Sequence, residues 1–283
     1  MKTKLKALLV VVFLSQSCDL DRFPLDAPSD ATFYSNEGEL ELAVNGIYSS
    51  LWWHSQDQQT IQRLDNVTDI GWLRGEPAGL ADGTATPFIP AFRSFWVDLY
   101  HGIAKANNLL SNLDKAQDVP EEFVSRIEGE TKFLRALYYH YLVELFGGVP
   151  LLSDIPGVDE AQVPRSPKGE VVDLMLSDLQ FAADNLPVVW AGPQAGRATR
   201  GAALALKARV ALYNGMNTIA IEAATEVMDL QAYSLYPDYE ELFQYAGVRN
   251  SEVIFDVPYL QGVRTHGHPQ NAGSRMLGSF SNI

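Results

Sequence analysis

Residues 130 to 152 read ETKFLRALYYHYLVELFGGVPLL. Phe133, Leu134, Leu137, Tyr138, Tyr141, Leu142 and Leu145 recur there at steps of three and four, which places them on one face of an α-helix. Read backwards, the same face takes in Ile127 and Phe123 and reaches Pro120-Glu121-Glu122. That triplet opens a helix, because proline is tolerated where the first N–H groups have no partner and acids suit the positive end of the helix dipole. Forwards, Gly147-Gly148-Val149-Pro150 stops it.

The same periodicity appears on both sides of this helix. Upstream, Asn36 is placed as an N-cap with Glu39 in the capping-box position, and Leu40, Ala43, Val44, Ile47, Tyr48, Leu51 and Trp52 follow on one stripe. A second stripe runs through Phe95, Trp96, Leu99, Tyr100, Ile103, Ala106, Leu110 and Leu113. Downstream, Ser166-Pro167 predicts a helix start, with Leu174, Leu179, Ala182 and Leu186 on its face. Gly201 to Tyr213 is an alanine-rich helix ended by Asn214-Gly215, and Thr218 to Leu230 is its antiparallel neighbour. Val253, Phe255, Val257 and Tyr259 alternate, which fits a short strand over Glu252 to Tyr259. The fold expected is mostly all-α: helical hairpins in series, resembling a tetratricopeptide-type solenoid, with long loops. Residues 19 to 34 read as an extended lead, with Pro24 and Pro28 against a helix. Between Ser55 and Phe92 the periodicity dissolves, apart from a short helix expected over Gln58 to Asn66. A loop this long in a compact domain is often functional.

Composition narrows the function. Of the 283 residues, 47% are hydrophobic and only 20% charged, so a large core can be buried. The formal net charge is −14. Residues 1 to 17 hold three lysines and no acid; without them 18 basic residues face 35 acidic ones, a net of −17. Such a surface repels phosphate backbones and argues against nucleic acid, while neutral sugars or a partner with a basic face remain compatible. Plain solubility explains the acidity equally well.

The N-terminus reads as an address. Lys2, Lys4 and Lys6 precede an unbroken apolar run, Ala7 to Leu14, and Ser15-Gln16-Ser17-Cys18 follows. This is the layout of a secretory signal, too short for a stable transmembrane span. The chain's one cysteine, Cys18, stands where a lipoprotein signal places its lipidated residue. Ser15 occupies the position where leucine is usual, and Leu14 lies one further back. Asp19 and Asp21 resemble the surface-export signal of Bacteroidetes lipoproteins. The expected division is a signal peptide over 1–17 and a helical domain over 18–283, with an ordinary cleaved signal and a bystander Cys18 as the alternative.

Catalytic motifs are scarce. Walker, GxGxxG, HExxH and GxSxG patterns are absent. His266-Gly267-His268 offers two imidazoles, but no third metal ligand is apparent beside them. None of the 35 acids stands out as half of a glycosidase pair, whose defining feature is a fixed separation across a cleft. No catalytic residue, metal or cofactor is expected. Aromatics are more informative, because sugar rings present apolar C–H faces that pack on aromatic planes. Trp52 and Trp96 lie on helical stripes and read as core, Trp53 is off its stripe, and Trp190 follows Pro187 in a loop. Trp72 lies in the long polar loop with Asp69, Arg74 and Glu76 close by. It is the candidate platform, with Asp69 and Arg74 as its polar contacts; the alternative is that Trp72 anchors the loop onto the helices.

Several stretches together resemble one family. Asp65-Asn66-Val67-Thr68-Asp69, the Glu130 to Leu152 block, Gly196-Arg197-Ala198-Thr199-Arg200-Gly201-Ala202-Ala203 with Leu206 to Tyr213 after it, Tyr233-Ser234-Leu235 and Ser251-Glu252-Val253-Ile254-Phe255 match, in order, the landmarks of SusD/RagB-type lipoproteins. The resemblance implies a tetratricopeptide-like scaffold in a non-enzymatic outer-membrane lipoprotein facing the exterior. Such a protein acts as a lid on a TonB-dependent, SusC-like transporter and captures oligosaccharides for import. Family members usually run much longer, with ligand-contacting loops in the later half, so the expectation is an N-terminal part whose later half is missing. Two further classes stay open: a surface helical scaffold that binds protein without glycan, and a glycoside hydrolase.

Overall fold

The structure, a computed structural model, describes residues 33–52, 83–152, 162–243 and 250–257. Six α-helices carry it: α1 (Glu37–Tyr48), α2 (Pro90–Leu110), α3 (Glu121–Phe146), α4 (Lys168–Asn185), α5 (Arg200–Tyr213) and α6 (Asn217–Asp229). From α2 onward each helix packs on its neighbour in the chain, and α1 lies across α2 and α3. The expected helical-hairpin scaffold is therefore present, and the described residues contain no β-strand.

Local chemistry sets the ends. The Asn36 side chain accepts from the Glu39 backbone N–H at 3.1 Å, as an N-cap should. The reciprocal half of the expected box is displaced by one residue, since Glu39 Oε2 accepts from Ser35 N at 2.8 Å. Thr199 caps α5 in the same way through Ala202 N, at 3.1 Å. Helix α4 starts one residue later than its sequence signal, with Pro167 rather than Ser166 at the cap. Gly147 ends α3 with φ 70°, a left-handed conformation that costs a residue with a Cβ.

The stretch that decides the fold also forms its centre. Phe133, Leu134, Tyr138, Tyr139 and Leu142 of α3 are all buried, between α2 on one side and α4 on the other. Complete burial of one such side chain stabilises by about 1.5–3 kcal/mol, so this helix dominates the core. Gly102 permits the close approach of α2: a Cβ there would lie 2.5 Å from the Tyr138 ring. Beyond α4, the alanine face of α5 buries Ala202, Ala203 and Ala211, and α6 packs on its other side.

One polar layer crosses this core. Arg135 of α3 donates through Nε and Nη2 to the two carboxylate oxygens of Asp178 of α4, each at 2.8 Å, and through Nη1 to Asn107 of α2, at 2.8 Å. Asn107 in turn donates to the Leu152 carbonyl at 2.7 Å. Burial pushes the Asp178 carboxyl upward, and the Arg135 contacts oppose the shift.

The alternating stretch near the C-terminus departs from its pattern. Over its described part, 252–257, it makes turns and extended chain with no ladder partner. Its apolar residues instead pack down on the helices: Ile254, Phe255 and Val257 lie against the core, with the Phe255 ring 5.0 Å from that of Phe133. The packed residues do not follow the alternation, since Ile254 lies against the core beside Phe255 while Val253 lines the cleft.

Candidate functional site

The residues singled out from sequence, Trp72, Asp69 and Arg74, lie outside the described residues, as do Cys18 and Trp53. The chain that leads into their loop is firmly held. Lys105 of α2 donates to Gly46 O at 3.0 Å and to Ser50 Oγ at 2.9 Å, and Tyr138 donates to Ile47 O at 2.7 Å. Trp96 meets the expectation of a core role, packing edge-on to Phe146 with ring centroids 5.2 Å apart.

What the helices do assemble is an ionic clasp beside a cleft. Glu130 lies on the apolar stripe of α3 and has no solvent exposure. Its carboxylate accepts from Arg126 Nη1 at 2.7 Å, Arg197 Nη1 at 2.8 Å and Tyr48 Oη at 2.8 Å. Glu41 of α1 takes the outer N–H groups of the same arginines, Arg126 Nη2 at 2.6 Å and Arg197 Nη2 at 2.5 Å. Arg197 also donates to Asn45 Oδ1 at 2.7 Å and to Gln194 Oε1. Although burial opposes it, the adjacent Glu130 and Glu41 push the Arg197 guanidinium above its ordinary pKa. The Tyr48 hydroxyl is pushed well up by burial and by Glu130 beside it, so it stays a proton donor. Three distant pieces of chain, α1, α3 and the loop before α5, are locked together here.

That loop carries Trp190. Its indole Nε1 donates to Ala198 O at 2.7 Å, and the Arg126 guanidinium lies 5.5 Å from its ring. Next to it opens a cleft of about 260 Å³, bounded by Trp190, Arg197 and Thr199 on one wall and by Tyr233, Ser251 and Asp256 on the other. The second wall is also pinned. Ser234 N donates to Ser251 O at 3.0 Å, Ser251 Oγ donates to Ser234 O at 2.9 Å, and Tyr236 N donates to Glu252 Oε1 at 3.0 Å. Tyr233 closes the floor: its hydroxyl is 3.1 Å from Thr199 Oγ1, and its ring lies on Gly201, where a Cβ would fall 2.4 Å from the hydroxyl oxygen.

Both buried acids, Glu130 and Asp178, accept from arginine. Among the described residues no three His, Cys, Asp or Glu side chains come within reach of one metal ion. Burial, aided by Arg209 and Lys168, pushes the His140 imidazole down to about 4. Among the described residues no helix is long and apolar enough to cross a membrane.

Sequence reasoning passed over Glu130 and Arg197. A signal was present: Glu130 stands three residues from both Ile127 and Phe133 on an otherwise apolar stripe. An acid there needs a buried cation, and Arg197 stands in a landmark block of its own.

Comparison with known proteins places this scaffold among its relatives. Residues 86–212 match the sequence family described as starch-binding associating with outer membrane. A SusD-like protein, P25, of Formosa agariphila is 28% identical over 300 residues, covering 99% of this chain and 56% of its own. The solved structure of a laminarin-binding SusD-like protein superposes with a TM-score of 0.71 at 31% identity, over 78% of this chain and 51% of that one. A SusD-like carbohydrate-binding protein of Bacteroides fragilis gives a TM-score of 0.77 at 28% identity, over 88% and 52%. The chain thus spans about half the length of the relatives it matches.

Proposed function

The chain belongs to the SusD/RagB family, and from that premise we propose that it captures a neutral oligosaccharide at the outer face of the outer membrane for import by a TonB-dependent, SusC-like transporter. The observation that carries the reading is the likeness, in sequence and in fold, to a SusD-like protein that binds laminarin. The chain's chemistry is compatible with it. A net charge of −14 disfavours anionic ligands, and the buried acids are engaged in ion pairs, which favours capture over hydrolysis. In this reading Cys18 carries the lipid anchor. The stacked helices offer a broad face to the transporter, and Trp72 supplies a stacking plane with Asp69 and Arg74 as polar contacts.

The test is calorimetric titration of the full chain with a panel of neutral oligosaccharides that includes laminarin fragments. Saturable binding is expected, and Trp72→Ala is expected to weaken it with little change in melting temperature. Absence of binding across the panel, with a SusC-like transporter still recovered on mild-detergent purification, would favour a protein-interaction scaffold instead. If Trp72→Ala loses affinity only in step with folding, Trp72 is a loop anchor and the site assignment is wrong.

A further inference from the structure

Trp190 stands beside a cleft with polar groups on its walls. We propose that the cleft between Trp190 and Tyr233 is a second carbohydrate subsite, one that takes a single neutral glycosyl unit or a disaccharide. The inference rests on the glycan-capture reading and adds a location to it.

Four observations carry it. The first is size. The cleft encloses about 260 Å³, just under the ~300 Å³ at which pockets for drug-sized ligands begin, so it suits one or two sugar rings and not a long chain segment.

The second is rigidity. Ligand-binding aromatics are effective when their orientation is fixed before the ligand arrives. Trp190 is fixed by its Nε1 bond to Ala198 O and by Arg126 against its ring. Behind the loop, the clasp on Glu130 and Glu41 holds Arg197. The facing wall is held by the bonds between 234–236 and 251–252. Both walls are therefore preformed, and binding need not order them.

The third is charge. Arg197 is the cation on the cleft wall, yet its Nε, its Nη2 pair and one Nη1 hydrogen are already directed to Gln194, Glu41, Asn45 and Glu130. Its positive charge is compensated by a carboxylate with no access to water. An anionic ligand would find Arg197 already engaged, whereas a neutral polyol needs no counter-charge.

The fourth is the mixture of groups. Trp190 gives an apolar plane, while Thr199 and Tyr233 bring hydroxyls to the same cavity. That combination suits a ring with apolar C–H faces and a rim of hydroxyls.

The experiment titrates the full chain, wild type and variants, with a laminarin-derived tetrasaccharide and with a polyuronate of equal length, by calorimetry and by NMR of the indole N–H signals. Wild type should bind the neutral probe and shift the Trp190 indole signal, assigned by its loss in Trp190→Phe. Trp190→Ala removes the plane. Ala195→Trp fills the cleft from an exposed position and removes no existing contact, so it stands as the decisive variant if Trp190→Ala unfolds. In a background of Trp72→Ala, each should lower the remaining affinity about tenfold, with the melting temperature of Ala195→Trp unchanged. Unaltered affinity in Ala195→Trp, a silent Trp190 indole signal at saturation, or tighter binding of the polyuronate overturns the inference while glycan capture through Trp72 stands. If wild type binds no neutral glycan at all, both readings fall together.

Discussion

Glu130→Ala should be the most damaging single change in the clasp, and its cost can be worked from the geometry. The substitution removes a carboxylate with no solvent exposure that accepts from Arg126, Arg197 and Tyr48 at 2.7 to 2.8 Å. Breaking a buried ion pair from one side costs roughly 3–5 kcal/mol, mostly because the remaining charge is stranded. Here two things soften the penalty. Glu41 still holds the outer N–H groups of both arginines, whose side chains keep 12–15% of their surface in water. The lower end, about 3 kcal/mol, is therefore expected, and at roughly 2–4 °C per kcal/mol for a domain of this size the melting temperature should fall by about 6–12 °C. Thermal unfolding followed by circular dichroism reads this directly.

Glu41→Ala provides the comparison, because Glu41 is the more exposed acid, at 22%. With Glu130 left in place, both arginines keep their buried partner, and a loss of about 1 kcal/mol is expected. If the two variants cost the same, burial is not what sets the energy of this network. If Glu130→Ala costs under about 1 kcal/mol, the arginines have found water and the clasp is not the lock described here.

Two further predictions concern pH and processing. The His140 imidazole, held down to about 4 in the fold by burial and by Arg209 and Lys168, takes up its proton near 6.5 once unfolded. Below 6.5 the unfolded chain binds the extra proton, so stability should fall from pH 6.5 towards 4 by up to about 3 kcal/mol; His140→Gln should flatten that part of a denaturant-midpoint profile, and an unchanged slope would count against it. Cys18→Ala should leave the precursor uncleaved or shift the protein from membrane to soluble fractions, since stable anchoring needs two acyl chains on that residue; unaltered processing and fractionation would remove Cys18 from the anchor.

Much of the fold was legible because it rests on periodic signals. The face of α3 declares itself through Phe133, Leu134, Tyr138 and Leu142, all of them buried, and its stop at Gly147 follows from a backbone that only glycine adopts cheaply. The start of α1 was legible because a cap side chain, Asn36, marks it; the Thr199 cap of α5 was not read from the sequence. The segment after Asn250 was not legible, because alternating apolar residues do not distinguish a strand from irregular chain laid on helices, and here neighbouring Ile254 and Phe255 both pack down. Val171, Val172 and Met175 were also missed: they are buried on α4 and share the face of Leu179, Ala182 and Leu186, whereas Leu174, through which the stripe was drawn, lies off that face and is only half-buried. The cleft was the least legible feature. Its walls come from positions near 190, 199, 233 and 251–256, and no local pattern reveals that these segments meet.

The clasp poses a question of design. Apolar residues of equal volume at Glu130 and its partners would serve stability as well or better, since a buried ion pair repays its desolvation only partly. An apolar contact, though, tolerates sliding, and this network does not. Glu130 and Glu41 each bind both arginines through defined N–H groups, Tyr48 links Glu130 to Ala198 N at 2.8 Å, and Arg197 reads Asn45 at the same time. Shifting the loop by one residue would break the bonds of Arg197 to Glu130, Glu41 and Asn45 and that of Ala198 N to Tyr48 together, while Arg126 stays on both acids. The network thus fixes the register of residues 194–198 against α1 and α3, and through the Ala198 carbonyl it fixes the indole of Trp190. Its value lies in position: an aromatic plane intended for a weakly binding sugar contributes only if it stands still. One buried carboxylate therefore sets the geometry under the proposed contact at Trp190, which explains why an acid interrupts the apolar stripe of α3.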